Sequence, residues 1–150
     1  MKYAAKKLTI TPKIPNGVTN MDSTFWECTS LTTVANIPSD VTIMAWTFYG
    51  CSSLTNVPRF PDGVKVLCYV FRDCRSLTTA PSIPSSVIDM EGTFDNCVSL
   101  ENEIEINANP SDYKSCFAGT EKEITIIGLA SDETKAALAA TASIRNVKWE

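Results

Sequence analysis

The hydrophobic positions along the chain recur with a fixed period of about 23 residues, a length typical of structural repeats. Several residue types each form a column of equivalent positions in the same register. The three clearest columns are Phe25, Phe48, Phe71, Phe94 and Phe117; Cys28, Cys51, Cys74 and Cys97; and Leu31, Leu54, Leu77 and Leu100. A fixed period between about 20 and 50 residues is the signature of stacked structural repeats. The pattern therefore predicts an array of repeats that begins near residue 8.

Within one unit the apolar positions are three or four residues apart, a spacing that by itself indicates an amphipathic helix. A proline in the middle of four successive units excludes a continuous helix, because proline lacks an amide donor and clashes with the preceding turn. These prolines are Pro15, Pro38, Pro61 and Pro84. A coil that turns a corner every few residues, with inward side chains stacked on their counterparts, explains the same spacing. The pattern therefore predicts a repeat solenoid.

Each coil is expected to contain a strand, a proline corner, a second extended piece and a short helical turn. The segments "LTTV", "LTNV" and "LTTA" predict the strands, because they are rich in β-branched residues and bounded by proline or asparagine. Met44, Phe48 and Cys51 fit the helical turn, since they are separated by four and three residues. Stacked strands would give a rise of about 4.8 Å per coil.

Residues 123–150 lack the column residues and are expected to cap a solenoid that spans residues 1–122. Ser131 or Asp132 is the predicted N-cap of an alanine-rich helix that runs to about Ala142. The segment "SIRNVKW" predicts a last strand. Such a cap hides the open core of the final coil. A smaller cap is expected in the N-terminal segment that precedes the array.

Composition and charge exclude several classes of protein. The 150 residues fit one domain. The net charge of -4, with no dense basic face, argues against a nucleic-acid partner. The apolar stretches are too short to cross a bilayer, and "MKYAAKKLTI" has no apolar core of a signal peptide. The sequence is therefore expected to come from a longer exported protein or to reach its place without the general secretion route, and membrane insertion is not expected.

The four column cysteines, Cys28, Cys51, Cys74 and Cys97, are expected to be packing residues. In a straight column the Cα–Cβ vectors are parallel, which gives a poor disulfide torsion. Zinc needs four ligands around one point, and such a column offers two at most. A buried thiol can instead donate to a neighbouring backbone carbonyl. Cys68 and Cys116 lie outside the column, so the even total does not indicate a disulfide framework. No metal and no cofactor is expected.

Catalysis is not expected either. The sequence has no histidine, and it carries no glycine-rich phosphate loop, no nucleophile elbow and no repeated pair of convergent carboxylates. The protein is therefore predicted not to be an enzyme.

The candidate binding site is an aromatic stripe in the variable positions on the predicted helical-turn side. Tryptophan, tyrosine and arginine are enriched at interface hot spots, and exposed apolar patches mark interaction surfaces. The stripe ends at the next coil, where Asp89, Gly92 and Asp95 occupy the equivalent positions. The alternative is that the rings pack under a loop or against an absent neighbouring domain. The predicted partner-binding residues are Trp26, Ile43, Trp46, Tyr49, Val66, Tyr69 and Arg72.

Threonines on the predicted strand face raise an ice-binding alternative. Thr32, Thr55 and Thr78 lie in register, and a flat array of threonines can order water against an ice surface. Threonine is also simply favoured in strands, and Pro58 and Arg59 interrupt the face. Ice binding is therefore disfavoured.

The repeat unit "LTxVPxIPxxVTxMxxTFxxCxS", as in Leu54–Ser76 and Leu77–Ser99, resembles the leucine-rich repeat of the BspA-like bacterial surface protein family. The resemblance covers residues 8 to about 122. It implies a right-handed leucine-rich-repeat coil, β-dominant (α/β), with short helical turns. It also implies adhesion or the binding of molecules on host or neighbouring cells. Similar arrays occur in phage and prophage proteins.

Together these features predict a non-enzymatic binding or adhesion module that recognises a protein or glycan through the aromatic stripe. The expected location is extracellular or on a cell surface. The alternative is a structural protein of a phage or prophage virion or appendage, which would use the same patch for assembly. Self-association through the patch is left open.

Overall fold

The computed structural model describes residues 7–150. Backbone hydrogen bonds between positions about one repeat apart in the sequence join each coil to the next. The amide of Met21 donates to the carbonyl of Ile43, and that of Met44 donates to the carbonyl of Val66. The chain is therefore a repeat solenoid whose coils stack in sequence order. The start of the predicted 1–122 solenoid, with most of the expected N-terminal cap, lies outside the described residues.

The core of the solenoid is a continuous column of phenylalanine rings. Neighbouring centroids along Phe25, Phe48, Phe71, Phe94 and Phe117 are 5.3–6.0 Å apart, and the rings lie within 20° of parallel. All five side chains are buried, as are the four leucines of the repeat column. Stacking on the next coil therefore buries both faces of each inner ring.

The column cysteines bond between coils, as the sequence predicted. The thiol of Cys51 donates to the carbonyl of Phe25 at 3.2 Å, and that of Cys74 donates to the carbonyl of Phe48 at 3.1 Å. Cys97 repeats the contact one coil later. None of the six cysteines forms a disulfide bond. These three thiols therefore fill small buried spaces and satisfy carbonyls of the preceding coil.

The predicted short helical turn is wrong, because this part of each coil is a series of β-turns. In the second coil Thr47 N–H donates to Met44 C=O, and Cys51 N–H donates to Phe48 C=O. Trp46 has φ 57° and Gly50 has φ 69°, in the left-handed region that a right-handed helix does not contain. With these left-handed residues, every second backbone N–H, such as those of Trp46 and Phe48, donates to a carbonyl of the next coil. Spacings of three and four residues therefore come from successive turns.

Regular strands are confined to the C-terminal part of the described chain. They form a parallel three-stranded sheet in the order β1-β2-β3. The residues paired between adjacent strands are about one repeat apart in the sequence, with Asn102 opposite Ile124 and Ile124 opposite Val147. The strands are β1 Asn102–Glu105, β2 Ile124–Ile127 and β3 Val147–Trp149.

The strands predicted at "LTTV", "LTNV" and "LTTA" are therefore wrong, and the fold has less strand than expected. Within residues 7–150 these coils meet at isolated bridges, such as Ile10 with Thr33, or through single backbone bonds, such as Thr78 N–H to Thr55 C=O. Pro58 and Pro81 follow two of the segments and have no amide to extend a ladder. β1 and β2 contain no proline, so their ladder continues.

The C-terminal helix and strand confirm the predicted elements. Helix α1 spans Asp132–Ala139, and the Ser131 hydroxyl accepts from the Thr134 amide as its N-cap. The helix ends three residues before the predicted Ala142. Its buried Leu138 faces the core, so α1 covers apolar surface that a further coil would otherwise cover.

Side-chain hydroxyl groups after α1 end the ladder of bonds between coils. In the inner coils the amides equivalent to Phe117 and Gly119 donate to backbone carbonyls of the next coil. Here Phe117 N–H donates to Thr141 Oγ1 at 2.9 Å, and Gly119 N–H donates to Ser143 Oγ at 3.1 Å. The two hydroxyls thus replace the carbonyls of a missing coil.

We predict that Thr141→Val lowers the free energy of unfolding by about 1–3 kcal/mol, because the amide of buried Phe117 loses its acceptor. Urea denaturation measures the change. Thr125→Val is the matched control, since it makes the same exchange on β2 and Thr125 Oγ1 has no hydrogen bond within the described residues. Equal losses in the two variants would show that the Thr141 hydroxyl does not complete the ladder.

Candidate functional site

Four aromatic side chains from three consecutive coils form one contact group, here called the aromatic cluster: Trp26, Trp46, Tyr49 and Tyr69. Trp46 stacks on Trp26 with centroids 5.5 Å apart and on Tyr69 with centroids 4.3 Å apart. Tyr49 lies 4.6 Å from Trp26 and 5.5 Å from Trp46. Rings of one coil thus pack on rings of the next, and the cluster consists of two neighbouring columns, Trp26 with Tyr49 and Trp46 with Tyr69.

Two of these rings are attached to backbone positions that favour glycine. Trp46 has φ 57° and Tyr69 has φ 52°. The next position of the column is Gly92, with φ 56°. Left-handed geometry costs a residue with a Cβ about 1–2 kcal/mol, and a bulky residue there is an outlier. The fold therefore carries backbone strain at the two central rings.

Residues of the fourth coil hold Tyr69 in place. Its ring lies over Gly92, where a Cβ would collide with Cδ1 and Cε1 of the ring. Its hydroxyl donates to Glu91 Oε1 at 2.7 Å. This hydrogen bond, followed by burial, raises the pKa of Tyr69 to about 12. Tyr69 therefore stays protonated and oriented at physiological pH.

Arg72 borders the cluster and joins it to carboxylates. Its guanidinium carbon lies 5.5 Å from the centroid of Tyr69 and 6.0 Å from that of Tyr49. Its Nε is 3.2 Å from Asp95 Oδ2 and 3.9 Å from Asp73 Oδ2. Burial raises the pKa of Asp95, although Arg72 acts in the opposite direction. The arginine is thus already engaged by both rings and acids.

The structure brings together five of the seven predicted site residues, namely the aromatic cluster and Arg72. Ile43 and Val66 lie three residues earlier in their coils and pair with each other in an isolated bridge. Both are half-buried, as are Trp46, Tyr49 and Tyr69, while Trp26 is 39% exposed. The group therefore reaches the surface on the turn side of the solenoid.

Sequence reasoning missed the roles of Glu91 and Gly92, which anchor Tyr69. It did not include Ala45 and Cys68 in the site, although both are half-buried and adjoin the cluster in sequence. The sequence contained one signal of the left-handed backbone at Tyr69. Gly92 follows Tyr69 by one full repeat, and a glycine there indicates a column of positions with positive φ.

The cluster presents hydrogen-bond donors as well as apolar surface. The indole N–H groups of Trp26 and Trp46 and the hydroxyl of Tyr49 have no hydrogen-bond partner within residues 7–150. The arrangement can therefore bury apolar groups of a ligand and donate to its acceptors, as interface aromatics do.

Residues 7–150 contain neither a metal-binding cluster nor a membrane-spanning helix. No three carboxylate or thiol groups among residues 7–150 are placed to hold a metal ion. None of the described helices has the length and apolar character needed to cross a bilayer.

A family model described as BspA type Leucine rich repeat region (6 copies) matches residues 18–140. The match includes every residue of the aromatic cluster and extends through α1. Comparisons with curated proteins and with solved structures found no match.

Proposed function

The chain belongs to the BspA-type leucine-rich repeat family, and on this premise we propose that it is a non-enzymatic binding or adhesion module. The module recognises a protein or glycan through the aromatic cluster, with Ile43, Val66 and Arg72 at its border. Repeats of this family are generally used for adhesion at surfaces, which supports an extracellular or cell-surface location. Parallel neighbouring strands joined by crossovers support right-handed winding of the coil.

The observation that carries the proposal is the backbone strain at Trp46 and Tyr69. Both occupy left-handed positions of a column in which the other coils have the small residues Ser23, Gly92 and Ser115. Packing alone does not require these rings, because the buried phenylalanine column already forms the core. Strained residues cluster at functional sites, where the surrounding structure maintains them. Rings kept at such a cost support a role in recognition.

We predict that Trp46→Gly and Trp46→Ala separate binding from folding. Both variants lose the ring, and a hot-spot residue of this kind accounts for about 2 kcal/mol or more, or roughly 30-fold in affinity. Glycine also removes the left-handed strain, so Trp46→Gly should be about 1 kcal/mol more stable than Trp46→Ala. Binding is measured on glycan and protein arrays, and stability by urea denaturation.

Ser115→Gly is the matched control, since Ser115 has φ 56° in the same column and carries no ring. It should gain stability and keep every array signal of the wild type. Array signals that survive unchanged in a folded Trp46→Gly protein would contradict the proposed binding surface.

A further inference from the structure

An apolar strip lies beside the aromatic cluster on the turn side of the second and third coils. Ile43 pairs with Val66 in one column, and in the next column Trp46 N–H bonds to Cys68 C=O, which places Cys68 beside Ala45. These four residues are half-buried, whereas Met44 and Leu67 between them are buried. The strip and the cluster together form an apolar centre two coils wide.

Carboxylates stand at both ends of this strip in the same columns. Asp22 precedes Ala45 by one repeat. Asp89 pairs with Val66 at an isolated bridge, and the amide of Tyr69 bonds to the carbonyl of Glu91. Asp112 continues the first column by pairing with Asp89. The apolar centre is therefore flanked by negative charge along the solenoid axis.

These carboxylates lack cationic partners, unlike others nearby. Arg72 pairs with Asp73 and Asp95, and Arg75 pairs with Asp73. Among residues 7–150 no lysine or arginine lies within ion-pair distance of a second group of acids on this face. That group is Asp22, Glu27, Asp89, Glu91 and Asp112. Lys114 follows Glu91 by one repeat in the second column but lies outside ion-pair distance of these acids, so the surface keeps an excess of negative charge around an apolar centre.

This combination favours one class of partner over two others. A second copy of the chain would bring the same carboxylates face to face, and juxtaposed like charges cost several kcal/mol. A saccharide stacks on open ring faces, but both faces of Trp46 are taken by Trp26 and Tyr69. A basic polypeptide can bury an apolar side chain and neutralise the flanking acids at once.

We infer that this face binds a polypeptide segment in which apolar side chains are flanked by lysine or arginine. The inference rests on the proposed function and specifies its partner. The apolar side chain of the partner packs on the strip between Ile43 and Tyr69. Its basic groups pair with Asp89 and Glu91 at one end and with Asp22 at the other.

The test uses a synthetic peptide in which leucine alternates with lysine and a counterpart with glutamate in place of lysine, both followed by fluorescence anisotropy. The wild type should bind the lysine peptide, more weakly at higher salt, and should not bind the glutamate peptide. Asp89→Asn with Glu91→Gln should weaken binding at least about tenfold, a loss of about 1.4 kcal/mol. The new asparagine side chain can still accept from the backbone N–H of residue 91, and the new glutamine side chain can still accept from the Tyr69 hydroxyl.

Glu103→Gln with Glu133→Gln is the charge-matched control, because both carboxylates are exposed and lie outside this face. It should leave binding of the lysine peptide within twofold of the wild type. An equal loss in the control pair would overturn the inference, since bulk charge alone would then explain binding. Full retention of peptide binding in a folded Trp46→Gly protein would overturn it as well.

Two further outcomes would also reject the basic polypeptide. A wild-type dimer in analytical ultracentrifugation that Trp46→Gly dissociates would make a second copy the occupant. A glycan-array signal that depends on Trp46, with no binding of the lysine peptide, would make the partner a saccharide. In that case the proposed binding module stands and only the inferred partner fails.

Discussion

Replacing Phe71 by alanine is expected to lower the free energy of unfolding by about 3–5 kcal/mol, the usual loss for a phenylalanine deleted from a packed core. The Phe71 ring is fully buried, with centroids of Phe48 and Phe94 6.0 Å away and that of Phe60 5.9 Å away. In a solenoid each coil packs only on its neighbours. A cavity at the central coil therefore weakens the contacts of both halves.

Urea denaturation followed by circular dichroism measures this loss. Phe71→Leu should cost less than Phe71→Ala, since most of the volume remains. Ile88→Ala is the surface control, because Ile88 is 53% exposed and its truncation leaves no buried cavity. A Phe71→Ala protein as stable as Ile88→Ala would show that the phenylalanine column does not support the fold.

Alkaline pH is expected to unfold the protein between about pH 9 and 12 because the cysteine thiols are buried. Burial raises the pKa of Cys51 and of Cys68 to about 12 and also raises the pKa of Cys74, Cys97 and Cys116. In the unfolded chain the thiols ionise near 9.0. The stability is therefore complete below pH 9 and decreases as the pH rises towards the folded pKa values.

The size of the effect follows from proton linkage. Within this window each buried thiol lowers the free energy of unfolding by about 1.4 kcal/mol per pH unit. Four such thiols acting together would exhaust a typical stability of about 5–15 kcal/mol within two to three pH units. Urea midpoints recorded under reducing conditions from pH 8 to 11 measure the slope.

Cys51→Ser with Cys74→Ser tests the assignment, because serine keeps a donor to the carbonyls of Phe25 and Phe48 but does not ionise in this range. The double variant should lose less than half of the pH dependence, because the pKa values of Cys68, Tyr69, Cys97 and Cys116 stay raised. A wild-type stability that stays constant between pH 8 and 11 would show that the thiols are not buried as described. Thiol titration at pH 8 should likewise detect the column cysteines only after denaturation.

Much of the interior followed from the repeat itself. The register placed Phe71, Cys74 and Leu77 inward, and all three are buried. It also assigned the column thiols a backbone acceptor, which the structure contains. Because each side chain stacks on its own equivalent, the repeat period determines both which residues meet and which face the core.

The candidate site followed from the sequence only in outline. The variable columns identified Trp46, Tyr49 and Tyr69 as neighbours, and the rings do touch. The left-handed backbone beneath them did not follow, since tryptophan and tyrosine have no local preference for positive φ. That conformation accompanies bonds to the next coil, such as Trp46 N–H to Cys68 C=O, which no local pattern reveals.

The sequence by itself thus determined the repeat, its register, its inward columns and the C-terminal helix with its cap at Ser131 or Asp132. These features depend on periodicity and on local capping chemistry, and both can be identified from the order of residues in the sequence. Only the tertiary structure decided between helix and turn around Trp46, because steps of three and four residues fit either. The choice depends on whether backbone amides bond within the coil or to the next coil, and stacking of the coils makes that choice.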